Sequence, residues 1–222
     1  HPADLRPGCS RNILSRPPPP PATPLLSARR LACRRGERLL FRDLDLDLLP
    51  GQILWLRGRN GCGKTSLLRV LAGLAPPEAG TLQRHSRSAY LAHANALKDD
   101  LGALEALQFL ALLHGHAADS AACTEALRRV GMFERRRAAV RTLSQGQRRR
   151  VALARLFLEP TAAAWILDEP FDALDSDAVA MLAAALQAHA RSGGAVVLTS
   201  HLEPPLHEPL PTLLQLDEIT GS

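Results

Sequence analysis

A glycine-rich segment that ends in lysine and threonine carries the strongest chemical signal in the chain: Gly58-Arg59-Asn60-Gly61-Cys62-Gly63-Lys64-Thr65. Glycines let backbone N–H groups wrap around phosphate oxygens without Cβ clashes. Lys64 offers a charge to the β- and γ-phosphates, the Thr65 hydroxyl suits Mg²⁺, and the next residue, Ser66, completes the predicted ATP-binding set. This motif predicts a nucleoside triphosphate site and, taken alone, fits a small-molecule kinase or a GTPase equally well.

A pair of acids follows an apolar segment much later in the chain. Residues 162–167 (AAAWIL) run directly into Asp168 and Glu169. Carboxylates at the carboxyl end of a strand lie at the edge where open α/β sheets bind ligands. Asp168 is therefore a candidate Mg²⁺ ligand together with Thr65, and Glu169 is a candidate base for a water that attacks the γ-phosphate. We expect the loop and the acids to form one hydrolysis site, in which Lys64 is also catalytic.

A third motif, Leu143-Ser144-Gln145-Gly146-Gln147, opens an arginine-rich helix. It resembles the LSGGQ signature of the ATP-binding cassette (ABC) family, with Gln145 where glycine is commoner. Physically, Ser144 and the Gly146 backbone stand at a helix N-terminus, which favours anions. The resemblance implies that Ser144, Gln145, Gly146 and Gln147 contact the γ-phosphate bound by a second cassette. A complete site then needs two chains.

Other positions match the ABC pattern, and two depart from it. Asp175, in the segment FDALD, resembles the family's dimer-seam aspartate, and His201 resembles its switch histidine beside the γ-phosphate. The glutamine that the family places between its core and helical parts is absent, and Ala94 occupies its expected position, which leaves the neighbouring His93 and Asn95 as candidate substitutes. In place of the usual adenine-stacking aromatic residue stands Arg35, which fits either a cation–π contact or a solvated side chain.

A finer resemblance is to the ATP-binding subunits of the haem exporters of cytochrome c maturation systems. It is carried by residues 31–41, 91–98, 102–107 and 165–175. The resemblance implies an ABC-type ATPase that uses ATP and Mg²⁺ and works as a homodimer of cassettes. It also implies a membrane permease partner of the CcmB type and a peripheral position on the cytoplasmic face of the bacterial inner membrane. The ATP-binding subunit of another ABC exporter and a soluble, non-transport ABC ATPase remain as alternatives.

The elements that must position these motifs alternate along the chain. Residues 52–57 and 195–199 are apolar enough for buried strands, and 64–74, 144–158 and 177–191 read as helices. Such alternation predicts an α/β fold with a mostly parallel sheet and flanking helices. The resemblance adds a P-loop NTPase domain of the ABC nucleotide-binding type over residues 28–222, with a small antiparallel β part and a helical subdomain at about 95–160.

The N-terminal segment differs from the rest in composition. Residues 1–27 hold eight of the 17 prolines, so we predict a disordered Pro/Arg-rich tail. The net charge is +5, and residues 1–30 contain five arginines against one aspartate, which leaves +1 for residues 31–222. The charge therefore predicts no nucleic-acid partner, and the arginines at 148–150 read as a solvated helix face. The four cysteines form no CxxC pair, which predicts neither a zinc site nor a disulfide framework.

Overall fold

Two sheets organise the chain in the computed structural model, which describes residues 22–115, 119–159 and 162–218. In chain order the elements are β1 (Leu26–Arg35), β2 (Arg38–Leu48), β3 (Ile53–Arg57), α1 (Lys64–Leu71), β4 (Ala79–Arg84), β5 (Arg87–Leu91), α2 (Ala103–Leu113), α3 (Ser120–Arg129), α4 (Gln145–Ala154), β6 (Ala162–Leu167), α5 (Ser176–Arg191), β7 (Ala195–Thr199) and β8 (Thr212–Gln215). Short 3₁₀ helices occupy Val140–Thr142, Arg155–Leu158 and Leu216–Glu218.

The larger sheet is parallel and has five strands in the order β5-β6-β7-β3-β8. Within β3, Ile53 and Trp55 join one apolar core, whereas Leu54 and Leu56 join another. Successive side chains of a strand point to opposite faces, so an unbroken apolar run marks a strand buried on both faces. Because β3, β6 and β7 run parallel, their carboxyl ends meet at one edge of the sheet. The phosphate-binding loop, the acidic pair and His201 follow these three strand ends.

Helices and a second sheet cover the two faces of the parallel sheet. The first core includes buried residues of α2, α3, α4 and α5, and the second includes residues of α1 and of the small antiparallel sheet β2-β1-β4. The predicted combination of a mostly parallel sheet, flanking helices and a small antiparallel part is confirmed. Most of the predicted tail lies outside the described residues, and β1 begins at Leu26, inside the segment assigned to that tail.

The first helix is shorter than the predicted 64–74, because it ends at Leu71 in a glycine cap. Gly73 has φ +75°, its N–H donates to the Val70 carbonyl at 2.9 Å, and the Leu74 N–H donates to the Arg69 carbonyl at 2.8 Å. These two bonds form a Schellman motif, which closes a helix with a left-handed residue that is usually glycine. The predicted helix 144–158 likewise becomes α4 followed by a 3₁₀ turn, Arg155–Leu158.

Candidate active site

The phosphate-binding loop joins β3 to α1. Gly63, the residue before α1, has φ +112°, and a Cβ added there would lie 3.1 Å from the Cβ of Leu40. Gly61 has φ +79°. Side chains other than hydrogen are strained in this region, so the path of the loop depends on both glycines. The Lys64 ammonium donates to the carbonyls of Gly58 at 2.7 Å and Arg59 at 3.2 Å, which places its charge over the loop.

A cleft of about 470 Å³ lies above this loop. Most of the predicted ATP-binding and catalytic residues line it: Arg35, Asn60, Gly61, Gly63, Lys64, Thr65, Ser66, Asp168, Glu169 and His201. Residues that the sequence did not single out also line it: Leu40, Arg69 and Tyr90. Ala92, His93 and Ala94, from the segment without glutamine, complete the wall. The tertiary structure thus brings distant motifs around one opening.

Three predicted ATP-binding residues lie outside the lining of this cleft. Cys62 is buried, and its Sγ packs against Gly58: a Cβ added to Gly58 would lie only 2.7 Å from that sulfur. The backbone N–H of Arg59 donates to Oδ2 of Asp217 at 2.8 Å, and its guanidinium lies 3.6 Å from the same carboxylate. Asp217 lies just after β8. Its role could not be predicted from the sequence, because β8 is short and no motif marks Asp217.

Asp168 is the centre of a hydrogen-bonded chain at the sheet edge. The Thr65 hydroxyl donates to Oδ2 of Asp168 at 2.8 Å, and the Thr199 hydroxyl donates to Oδ1 at 2.9 Å. The Glu169 N–H donates to the Thr199 hydroxyl oxygen at 2.8 Å. Asp168 is 3% exposed and Thr199 is fully buried, so their hydrogen bond is shielded from water, whereas Thr65 is exposed at the cleft. Thr199 is a residue of the site that the sequence placed only as the end of β7.

Glu169 combines burial with contact to His201. Its carboxylate accepts from the His201 N–H at 3.2 Å, and Nε2 of the imidazole lies 3.7 Å from Oε1. Burial raises the pKa of Glu169 above the usual value, while the charge of His201 opposes that rise. A carboxylate with a raised pKa is a better proton acceptor than an ordinary one, which suits a general base.

The arrangement of Thr65 and Asp168 fits Mg²⁺. Adjacent ligands of an octahedral magnesium ion, each at about 2.1 Å, lie about 3.0 Å apart, close to the 2.8 Å between the Thr65 and Asp168 oxygens. Within the described ranges, no group of three or more His, Cys, Asp or Glu side chains could hold a metal. Magnesium is commonly held by one or two protein oxygens together with substrate phosphates, so this sparse set of ligands suits it.

The signature segment caps α4. The Ser144 hydroxyl accepts from the Gln147 N–H at 3.2 Å, and the Gln147 side chain accepts from the Ser144 N–H at 3.0 Å. This reciprocal capping box stabilises the helix start. Ser144, Gln145, Gly146 and Gln147 are not among the residues that line the cleft above the loop of the same chain. Their predicted contact with a nucleotide stays a prediction, and it requires a second chain.

The segment with Asp175 packs against the signature helix. The Asp175 carboxylate accepts from the Ala178 N–H at 3.0 Å, capping α5, and it pairs with the guanidinium of Arg150. A Cβ on Gly146 would lie 2.5 Å from the Ala173 carbonyl oxygen, so this contact requires glycine. The side chain of Asp175 is 64% exposed, which leaves it accessible at the predicted dimer seam.

One sequence interpretation is wrong: the arginines at 148–150 do not form a uniformly solvated face. Arg149 is only 2% exposed, because its guanidinium donates to backbone carbonyls at the ends of β5 and β6. The helical period alone did not reveal this, since buried arginine is rare and its carbonyl acceptors carry no sequence signal.

The described residues include buried cysteines and no membrane-spanning helix. Cys33, Cys62 and Cys123 are buried free thiols, and Cys9 lies outside the described ranges. Among residues 22–115, 119–159 and 162–218, no helix is both long enough and apolar enough to cross a bilayer.

Known proteins share both the sequence and the fold. The family model for ABC transporters matches residues 41–172. The cytochrome c biogenesis ATP-binding export protein CcmA of Aromatoleum aromaticum is 49% identical over 212 residues, which cover 90% of this chain and 99% of that protein. CcmA of Dechloromonas aromatica is 47% identical over 80% of this chain and 92% of its own length. A solved ABC transporter ATP-binding protein of Pyrococcus furiosus, described as putative, superposes with a TM-score of 0.74 at 21% identity, covering 88% of this chain and 99% of that one.

Proposed function

Because this chain belongs to the ABC transporter family, and within it to the CcmA group of ATP-binding export proteins, we propose that it hydrolyses ATP to power an export step of c-type cytochrome biogenesis, nominally haem export. One observation carries the hydrolytic part of this proposal. The buried Glu169 carboxylate, in contact with His201, lines the same cleft as Lys64 and Thr65 of the phosphate-binding loop.

ATP binds with its phosphates at the loop between β3 and α1. The backbone N–H groups of this loop and the positive end of α1 favour an anion, and Lys64 adds a full charge. Arg35 and Leu40 form another part of the cleft lining, and Arg35 can lie against the adenine by a cation–π contact.

Thr65 and Asp168 would hold Mg²⁺, which, when bound, would neutralise charge that develops on the phosphates. Thr199 fixes the Asp168 carboxylate by donating to Oδ1, so that Oδ2 remains directed at Thr65. The protein thereby presents two hard oxygen ligands to a cation at the mouth of the loop.

Glu169 acts as the base that takes a proton from the attacking water. Burial favours its protonated form, which increases its tendency to accept that proton. His201 lies at the side of the same carboxylate, where its imidazole can orient the water and contact the γ-phosphate. Lys64 stabilises the charge on the transferred phosphoryl group.

A second copy of the chain completes the site. Ser144, Gln145, Gly146 and Gln147 lie away from their own cleft, and Ser144 marks a helix N-terminus that favours an anion supplied by another chain. A two-fold symmetric pair would place each signature against the partner's nucleotide, with Asp175 at the seam. Two ATP molecules would then be enclosed between two cassettes.

A membrane permease of the CcmB type is the proposed partner, and the proposed location is the cytoplasmic face of the bacterial inner membrane. The relatives are named as export proteins of cytochrome c biogenesis, which supports both. Co-purification of the full chain with a co-expressed permease of the CcmB type tests this part. Failure of the two to associate in detergent or nanodiscs would contradict it.

Glu169→Gln tests the hydrolytic assignment. The amide cannot accept the proton, so we expect ATP turnover to fall by about 100- to 10,000-fold, the usual contribution of general base catalysis. ATP binding and ATP-dependent dimerisation should persist, because the loop is unchanged. Turnover at the wild-type rate would remove Glu169 from the mechanism.

A further inference from the structure

Arg149 carries a positive charge into the interior directly behind the acidic edge of the site. Its side chain is almost completely buried, and burial lowers its pKa, while Asp172, Asp168 and Glu169 favour the charged form. A buried charge is strongly unfavourable unless it is hydrogen-bonded and compensated. The acceptors that surround this guanidinium therefore indicate what it does.

Those acceptors belong to two chain segments. Nη2 donates to the carbonyls of Asp168 and Glu169, both at 2.8 Å, and Nε reaches the Pro170 carbonyl at 3.5 Å. Nη1 donates to the carbonyls of Ala92 at 2.8 Å and His93 at 3.1 Å. One planar fork thus joins the segment after β6 to the segment after β5. Its geometry is fixed in a way that an ammonium could not reproduce.

The loop after β5 has a side-chain contact with the same group. Oδ1 of Asn95 accepts from Nη1 of Arg149 at 3.2 Å. Asn95 is therefore engaged behind the site, whereas His93 and Ala94 line the cleft. Residues 90–98 contain no glutamine that could link this loop to the nucleotide site. The guanidinium supplies a physical link between them.

Glu169 itself needs to be held. Its φ of +46° lies in the left-handed region, which a residue with a Cβ adopts at a conformational cost and keeps only when its surroundings enforce it. Its N–H donates to Thr199, and its carbonyl accepts from Arg149. With both peptide groups held, the direction of the Cα–Cβ bond of Glu169 is fixed, and the His201 N–H holds the carboxylate at the far end of the side chain.

We propose that Arg149 is a positioning residue for hydrolysis: its guanidinium holds Glu169 in its left-handed conformation and couples that residue to the loop at 92–95. A shift of this loop would move the Arg149 guanidinium and so change its hydrogen bond to the Glu169 carbonyl. The position of the Glu169 side chain would change with it. The inference rests on the proposed role of Glu169 as the base. It adds a connection from the loop, through the signature helix, to the reacting water.

Arg149→Lys in the full chain tests the proposal. Lysine keeps the charge and loses the fork, so we expect kcat for ATP hydrolysis to fall about 10- to 100-fold, the scale of loss for a catalytic group misplaced by about 1 Å. The KM and the Kd for ATP should stay near their wild-type values, because the phosphate-binding loop is untouched.

Arg155→Lys is the matched control. Arg155 is 3% exposed, follows α4 directly, and pairs with Glu159 at 2.6 Å and with the Tyr90 carbonyl. We expect this variant to lose thermal stability to a similar degree as Arg149→Lys, while kcat of the folded protein is retained. An equal loss of kcat in both variants would overturn the positioning role, as would a wild-type kcat in folded Arg149→Lys.

Asn95→Ala keeps the test decisive if Arg149→Lys folds poorly. It removes one acceptor of the guanidinium and no part of the loop backbone, so we expect a several-fold smaller kcat at unchanged KM. In the Arg149→Lys background the same change should have little further effect, since contacting residues are not additive. Full additivity would show that the two residues act separately and would contradict the coupling. Turnover in Glu169→Gln would instead contradict the proposed function.

Discussion

Three physical effects act on the carboxylate of Glu169. Burial raises its pKa, His201 opposes that rise, and the held backbone fixes the Cα–Cβ direction from which the carboxylate reaches the His201 N–H. The position of Glu169 after an apolar strand, and that of His201 after another, could be predicted from the sequence. The roles of Thr199 and Arg149 could not be predicted. Their side chains bind other groups of the site, and no sequence motif marks a residue with that role.

The raised pKa of Glu169 predicts how stability depends on pH. A carboxyl group with a raised folded-state pKa is most favourable below its unfolded pKa and destabilises the fold as pH rises through the folded value. Glu169→Gln removes that penalty, so we expect its Tm to exceed the wild-type Tm at neutral pH, with the gap closing as pH falls toward the ordinary glutamate range.

Thermal unfolding of both proteins across a pH series measures this gap. Glu134→Gln, at an exposed position, is the matched control for the loss of one carboxylate. A gap that stays constant or widens at acid pH would show that burial of Glu169 does not govern its ionisation.

At the scale of elements, α4 links the signature to the core. Its start was predictable, since Ser144 and Gln147 have the spacing of a capping box. The close approach of Gly146 to the Ala173 carbonyl was not, because it depends on where the segment after β6 passes. The end of α1 was not predictable either. The helix ends at Leu71 in a glycine cap, several residues before Pro76 and Pro77.

Gly146→Ala tests this helix contact. In an isolated helix, alanine would stabilise by about 1 kcal/mol relative to glycine. Here the new Cβ would meet the Ala173 carbonyl oxygen at 2.5 Å, so we expect destabilisation by about 1–3 kcal/mol, the range for overpacked sites. Chemical denaturation measures the change, and Gln145→Ala, at an exposed position in the same turn, is the control. A stabilised Gly146→Ala variant would contradict the contact.

At the scale of the whole molecule, the phosphate-binding loop and the signature lie in separate places. The cleft lies at the edge of the parallel sheet, beside α1. Ser144 caps α4, which packs into the core on the opposite face of that sheet from α1. In the proposed two-fold pair, each chain would therefore supply half of two sites. The order of the motifs along the sequence indicated this need, and their positions in the fold agree with it.

Mixing two inactive variants tests the shared site. Lys64→Ala disables the loop, and Ser144→Asp keeps a good N-cap while adding a charge that repels the phosphate. Each variant alone should be inactive, whereas a mixture should recover about a quarter of wild-type turnover, since half the dimers are mixed and each holds one intact site. Ser144→Asn, which caps without the charge, is the control. No recovery on mixing would contradict a site built from two chains.

By itself, the sequence determined the local structural features of this protein: the glycine loop, the capped signature, the acidic pair and the alternation of strands and helices. Each depends on residues a few positions apart, where backbone conformation and periodicity leave a readable pattern. Only the tertiary structure decided that Arg149 is buried against Asp168, 19 positions away, and that Asp217 holds the Arg59 N–H across 158 positions. Such contacts depend on which strand ends meet at the sheet edge, and no local spacing records that.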